Sequence, residues 1–166
     1  MNNYQPRLGW GHININVSNL DRSIEFYKKL GFDVMIPAIP YLDLTGKEVS
    51  RPIPKAAAHA LGLPQGQNGR ACIMQLSSGF PKIDLTELSE QKQRKPLESV
   101  DLGLVRICLS SQNLQLDYEN LLEHGVNFLS SPQRCIDGMA DIAVCADPDG
   151  ALIELIQVYL DKWPKL

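Results

Sequence analysis

Residues 11–17 read G-H-I-N-I-N-V, and S-N-L-D-R-S-I-E-F-Y-K-K-L-G-F follows without a break to residue 32. The first stretch alternates strictly. Ile13, Ile15 and Val17 fall on one face of an extended strand, and His12, Asn14 and Asn16 on the other. The polar set is short and uncharged, which suits the wall of a polar cavity as well as a wet surface. Asn19 is placed to cap a helix over Asp21–Leu30. Leu20, Ile24, Tyr27 and Leu30 share one side of it, and Gly31 ends it.

Outward from this strand-helix pair, Phe32–Ile36 reads as a strand stopped by Pro37 and Pro40. Residues 38–69 carry Pro, Gly and an Ala-rich piece, Lys55–Leu61, and so predict a long excursion with a turn or two of helix. Arg70–Leu76 and Lys82–Leu88 predict a hairpin across Ser77–Pro81, and the charged stretch Ser89–Ser99 reads as a linker. The pattern then restarts: a strand over Leu102–Leu109, a helix over Asn113–His124 ended by Gly125, and a strand over Val126–Leu129. A final hairpin, Met139–Ala146 with Ala151–Val158, turns at Asp147-Pro148-Asp149-Gly150. A shift of 94 residues lays Ile13 on Ile107, Leu20 on Leu114, Gly31 on Gly125 and Phe32 on Val126. A shift of 70 lays Ile83-Asp84-Leu85 on Ile153-Glu154-Leu155, and the difference, 94 − 70 = 24, is the extra length of the excursion. The expected class is α+β: two paired βαβββ modules, at residues 10–88 and 102–158 with a linker at 89–101, in one domain over 1–166.

Composition narrows the classes. The chain has 166 residues, 44% hydrophobic and 21% charged, which excludes disorder. Sixteen Lys and Arg against nineteen Asp and Glu give a net charge of −3, against a nucleic-acid partner. No apolar run approaches the ~18 residues of a membrane span, and Met1–Gly9 lacks a signal-peptide pattern. A cytoplasmic protein is expected. Cys72, Cys108, Cys135 and Cys145 contain no C-x-x-C pair and read as reduced, packed cysteines, with Cys108 the candidate for a reactive thiol. Phosphate-loop, dinucleotide and serine-hydrolase patterns are missing from the sequence.

The stretch from His12 to Phe32, D-P-D-G-A-L-I-E-L from Asp147, L-L-E-H-G-V at 121–126 and I-D-L-T-E-L at 83–88 together resemble the vicinal oxygen chelate superfamily. That superfamily includes glyoxalase I, extradiol dioxygenases, methylmalonyl-CoA epimerase and the bleomycin and fosfomycin resistance proteins. The resemblance implies a curved mixed sheet around a cavity, with a divalent metal held by the first and last strands of each module. Those slots fall on His12, Asp84, Arg106 and Glu154. His12, Asp84 and Glu154 are candidate metal ligands. Arg106 departs from the pattern, because a permanently protonated guanidinium has no lone pair for a metal. The implied cofactor is therefore one divalent ion, held weakly or not at all. Glu87 is an alternative to Asp84, but it has the opposite strand parity, whereas Thr86 shares the parity of Asp84.

Arg106, flanked by Val105 and Ile107, should share a face with Leu104 and Cys108. It either clamps a ligand carboxylate or phosphate or forms an internal salt bridge with Glu154 or Asp84; both readings stand. Arg106, Asn14, Asn16 and Cys108 are the candidate ligand-binding residues, and Glu154, aided by His12, the candidate general base. His59 and His124 read as a surface residue and a helix C-terminal residue. Three functions fit. The first is a protein that binds or transforms a small organic anion with a degenerate metal site. The second is a metal-dependent lyase, isomerase or dioxygenase using His12, Asp84 and Glu154. The third is a non-catalytic sequestration protein.

The first strand of each half lacks Lys, so it would leave an unprotected sheet edge. The apolar tail, Val158-Tyr159-Leu160 with Trp163-Pro164, is too short for a core of its own. It either folds back on its own sheet or meets a partner chain. A homodimer is the expected state. Light scattering at micromolar concentration should give about twice the mass of one chain, and a mass near 18.5 kDa would contradict it.

Overall fold

The computed structural model describes residues 7–92 and 94–164. Residues 1–6, part of the stretch read as lacking a signal peptide, and Gln93 of the expected linker lie outside the described residues. The chain forms two compact units. One holds the chain up to Ile24 together with Gly31–Gln91, the other Glu25–Leu30 and the chain from Lys92.

The first unit opens with β1 (His12–Asn16) and α1 (Leu20–Lys29), a helix divided between the two units. The α1 start has the expected cap: Asn19 Oδ1 accepts from the Arg22 N–H at 2.9 Å. Gly31, at φ 89°, ends the helix. Then come β2 (Phe32–Ile36), β3 (Ala38–Ile39), β4 (Leu44–Thr45), β5 (Arg51–Pro52), α2 (Lys55–Ala60), β6 (Asn68–Leu76) and β7 (Lys82–Leu88). The sheet order is β1-β7-β6-β2, with β5 beside β6. The first and last strands of the module thus lie side by side, in parallel, with Ile13 opposite Ile83.

The excursion is more ordered than its Pro- and Gly-rich sequence predicts. β3 and β4 pair across a 3-10 turn, Pro40–Leu42. Ile39, Leu42, Leu44, Ile53 and Ala58 bury themselves in one cluster with Ala71 of β6. Strands of two residues are too short to show a period, so the sequence could not reveal them.

The second unit repeats the order with β8 (Arg106–Ser110), α3 (Leu114–Glu123), β9 (Asn127–Phe128), β10 (Gln133–Arg134), β11 (Ala140–Ala146) and β12 (Leu152–Val158). Its sheet runs β10-β11-β12-β8, with β9 beside β11. β8 pairs with β12 in parallel, with Ile107 opposite Ile153. The 94- and 70-residue offsets therefore meet in one register, and the expected α+β class with two βαβββ modules is present. β8 starts at Arg106 rather than Leu102, because its partner β12 begins at Leu152 and earlier residues have no strand beside them. Leu104 lies before the strand and is exposed.

Asp147 closes the last hairpin. Its buried carboxylate accepts the N–H groups of Asp149 (2.9 Å) and Ala151 (2.8 Å) and the Tyr27 hydroxyl (3.3 Å). The tail folds back on its own unit, the first of its two expected fates. Tyr159 N–H and Trp163 Nε1 both donate to Met139 O, and the Tyr159 hydroxyl donates to Asp141. Leu160 stays exposed, and β1 and β8 are sheet edges as expected.

Strand spacing in the first unit depends on Gly69 of β6, where an added Cβ would stand 2.7 Å from the Glu87 carbonyl oxygen on β7. Gly69→Ala should destabilise the protein by about 1–3 kcal/mol. Chemical denaturation checks it, and parental stability would contradict the close approach.

Candidate functional site

Residues paired across parallel strands share a face, so the register decides which side chains meet. In the first unit Asn14 lies opposite Asp84 and Asn16 opposite Thr86, with His12 two residues along on the same face. The Thr86 hydroxyl donates to Asn14 Oδ1, and Asn14 Nδ2 donates to Asn16 Oδ1, each at 3.0 Å. His12 Nε2 stands 3.5 Å from Asp84 Oδ2. The histidine side chain is 45% exposed and the aspartate 1%.

A residue the sequence reading did not single out completes this group. Tyr41, on the 3-10 turn of the excursion, donates its hydroxyl to Asp84 Oδ2 at 3.0 Å. The other oxygen, Asp84 Oδ1, is buried and has no hydrogen-bond partner among the described residues. Burial raises the Asp84 pKa above the usual carboxylate value, while His12 and the Tyr41 hydroxyl oppose that shift. Burial and the Asp84 charge push the Tyr41 phenol up to about 12, which keeps it a neutral donor near pH 7. No short motif marks Tyr41, because its partner lies 43 residues away.

Asp84 and Glu87 have opposite strand parity. Glu87 turns to the other face, where Oε2 accepts the Leu20 N–H at the start of α1 at 2.6 Å. The buried Arg70 reinforces this end of the helix, with Nη2 2.9 Å from both Asp21 oxygens and Nη1 3.5 Å from Glu87. A carboxylate here satisfies an otherwise unpaired helix N–H. The second unit repeats the device: Gln157 Oε1 accepts the Leu114 N–H at 2.8 Å. Glu87 and Gln157 are related by the 70-residue offset, the signal that could have separated Glu87 from the site.

In the second unit Glu154 lies opposite Cys108, and Arg106 is two residues along on that face. Arg106 Nε donates to Glu154 Oε2 at 2.5 Å, with side-chain exposures of 37% and 14%. The Cys108 thiol lies 3.5 Å from Glu154 Oε1. Of the expected partners of Arg106, Glu154 is therefore the one it meets in this unit. Partial burial and the neighbouring carboxylate push the Cys108 pKa up to about 11, the opposite of an activated thiol. Cys72 and Cys145 are buried as expected, but Cys108 is exposed and Cys135 half-buried, because the strand alternation turns Cys108 out with Arg106. His59 is exposed on α2, and His124 Nδ1 lies 2.7 Å from Asn120 O at the end of α3. Among the described residues, no group of three or more His, Cys, Asp and Glu side chains is gathered closely enough to hold a metal ion.

Comparison with known proteins agrees with the fold. A lactoylglutathione lyase of Pseudomonas aeruginosa is 24% identical over 162 residues, covering 92% of this chain and 84% of that protein. A glyoxalase family protein from Bacillus cereus superposes with a TM-score of 0.72 at 17% identity, over 95% of this chain and 98% of the other. The trypanothione-dependent glyoxalase I of Leishmania major gives 0.56 at 20% identity, over 88% and 84% of the two chains. A sequence match over residues 9–155 runs through both βαβββ modules, and the chain belongs to the Glyoxalase/Bleomycin resistance protein/Dioxygenase superfamily.

Proposed function

We propose that this chain is a soluble, cytoplasmic protein that binds a small organic anion through Arg106, and that the divalent-metal site of its superfamily is degenerate in it. The observation that carries this reading is the Arg106–Glu154 pair. Glu154 engages the guanidinium through Nε at 2.5 Å and so orients it. Among the described residues, the two terminal nitrogens make no hydrogen bond, and this planar edge matches a carboxylate or phosphate. Glu154 then positions the cation rather than acting as a base, which leaves His12 as the candidate proton acceptor.

The donor set supports the degenerate reading of the metal site. His12 and Asp84 are suitable ligands, but Arg106 brings a fixed positive charge and no lone pair to the third slot and already occupies Glu154. One observation favours the second reading, a metal-dependent lyase, isomerase or dioxygenase using His12, Asp84 and Glu154. The buried Asp84 Oδ1, on a carboxylate beside a histidine, has no partner among the described residues. The name of the Pseudomonas relative supports the lyase class within that reading.

Screening by thermal shift and calorimetry against small carboxylates and phosphate monoesters tests anion binding. Arg106→Ala should weaken binding by roughly 2–3 kcal/mol, the effect of losing charge-assisted hydrogen bonds. Because the pair is partly exposed, the variant should lose only about 1 kcal/mol of stability. Arg106→Met, which keeps much of the apolar stem, should bind equally poorly. Lost stability with unchanged binding would make Arg106 an internal partner of Glu154 and nothing more.

Elemental analysis of the purified protein should find substoichiometric divalent metal, because an arginine in one slot donates no lone pair and holds the glutamate of another. One tightly held ion per chain would promote the second reading.

A further inference from the structure

We propose that Tyr41 is a positioning residue for His12. Its hydroxyl holds the Asp84 carboxylate so that Asp84 turns the His12 ring with Nε2–H inward, leaving the lone pair on Nδ1 as a proton acceptor. This inference rests on the reading of His12 as a group free of metal and does not depend on anion binding by Arg106.

The geometry is specific. Asp84 Oδ2 receives the Tyr41 hydroxyl at 3.0 Å and faces His12 Nε2 at 3.5 Å, while Oδ1 has no partner among the described residues. Asp84 sits within β7, paired to Asn14 on one side and Ile73 on the other, so its backbone cannot follow the ring. Its carboxylate can still rotate, and Tyr41 restrains that rotation. The phenol is held in turn. Ile39 and Leu42 flank it and are buried in the excursion's own cluster, and the Asp43 N–H closes the turn onto Pro40 O at 3.1 Å. Tyr41 itself is 58% exposed, so its placement does not come from burial of the ring. A separation of 3.5 Å is long for a hydrogen bond, as is common for proton-transfer pairs before substrate binds. A carboxylate held against one imidazole nitrogen selects the tautomer with the lone pair on the other.

Among its described residues, the second unit has no counterpart to this tyrosine. The 24 extra residues of the excursion belong to the first module alone, and Glu154, the equivalent of Asp84, meets Arg106 instead.

Carbethoxylation by diethyl pyrocarbonate, followed by peptide mass spectrometry, reads the nucleophilicity of each imidazole. The full chain is used with and without a chelator, well above the ordinary imidazole pKa, with His59 and His124 as internal references. His12 should react faster than His59. Tyr41→Phe should slow His12 several-fold, to the rate in Asp84→Asn, with the two reference rates and the melting temperature unchanged. A parental or higher His12 rate in Tyr41→Phe would overturn the proposal, as would a His12 no faster than His59. A His12 rate that rises only when chelator is added would also overturn it, by showing a metal on the ring. Failure of anion binding alone would appear in the Arg106 variants and leave these rates untouched.

Discussion

The parallel pairing of the first strand of each module with its last organises both halves of the molecule. β1 lies against β7 with Ile13 opposite Ile83, and β8 against β12 with Ile107 opposite Ile153. Strands paired this way cannot be joined by a tight turn, so everything between them must form the rest of the module. Because side chains alternate, one register places apolar residues on one face and chemistry-bearing residues on the other. A slip of a single residue in either sheet would separate that sheet's own pair, His12 from Asp84 or Arg106 from Glu154.

The helices are fastened to the same strands. In each unit the first helical N–H is accepted by a side chain of the last strand, Glu87 in one and Gln157 in the other. That strand therefore uses both faces, one to anchor a helix and the other to present Asp84 or Glu154. The device explains why two acidic residues three positions apart in β7 have unrelated roles. Asp84 is buried beside His12 with one oxygen unpartnered among the described residues, whereas Glu87 meets Arg70 and a helix terminus.

Equivalent slots in the two modules carry different electrostatics. Asp84 is met by a neutral phenol and a histidine, Glu154 by a fixed cation and a thiol. The aspartate keeps a cost of burial that opposes its ionisation, and the glutamate has its charge compensated directly. A repeated scaffold with unlike partners gives two related carboxylates different surroundings.

The sequence by itself determined the α+β class, both βαβββ modules, the cap at Asn19 and the helix-ending Gly31 and Gly125. These follow from periodicity and local backbone preference, which act over a few residues. Placing His12 with Asp84 and Arg106 with Glu154 was also within its reach, because strand parity and the internal offsets carry the register. The tertiary structure alone decided the hydrogen bond of Tyr41 to Asp84, the anchoring by Glu87 and Gln157, the order within the 38–69 excursion and the return of the tail onto Met139. Each of these depends on groups far apart in the chain. A hydrogen bond spanning 43 residues leaves no period or motif behind, only a tyrosine in a turn and an aspartate in a strand.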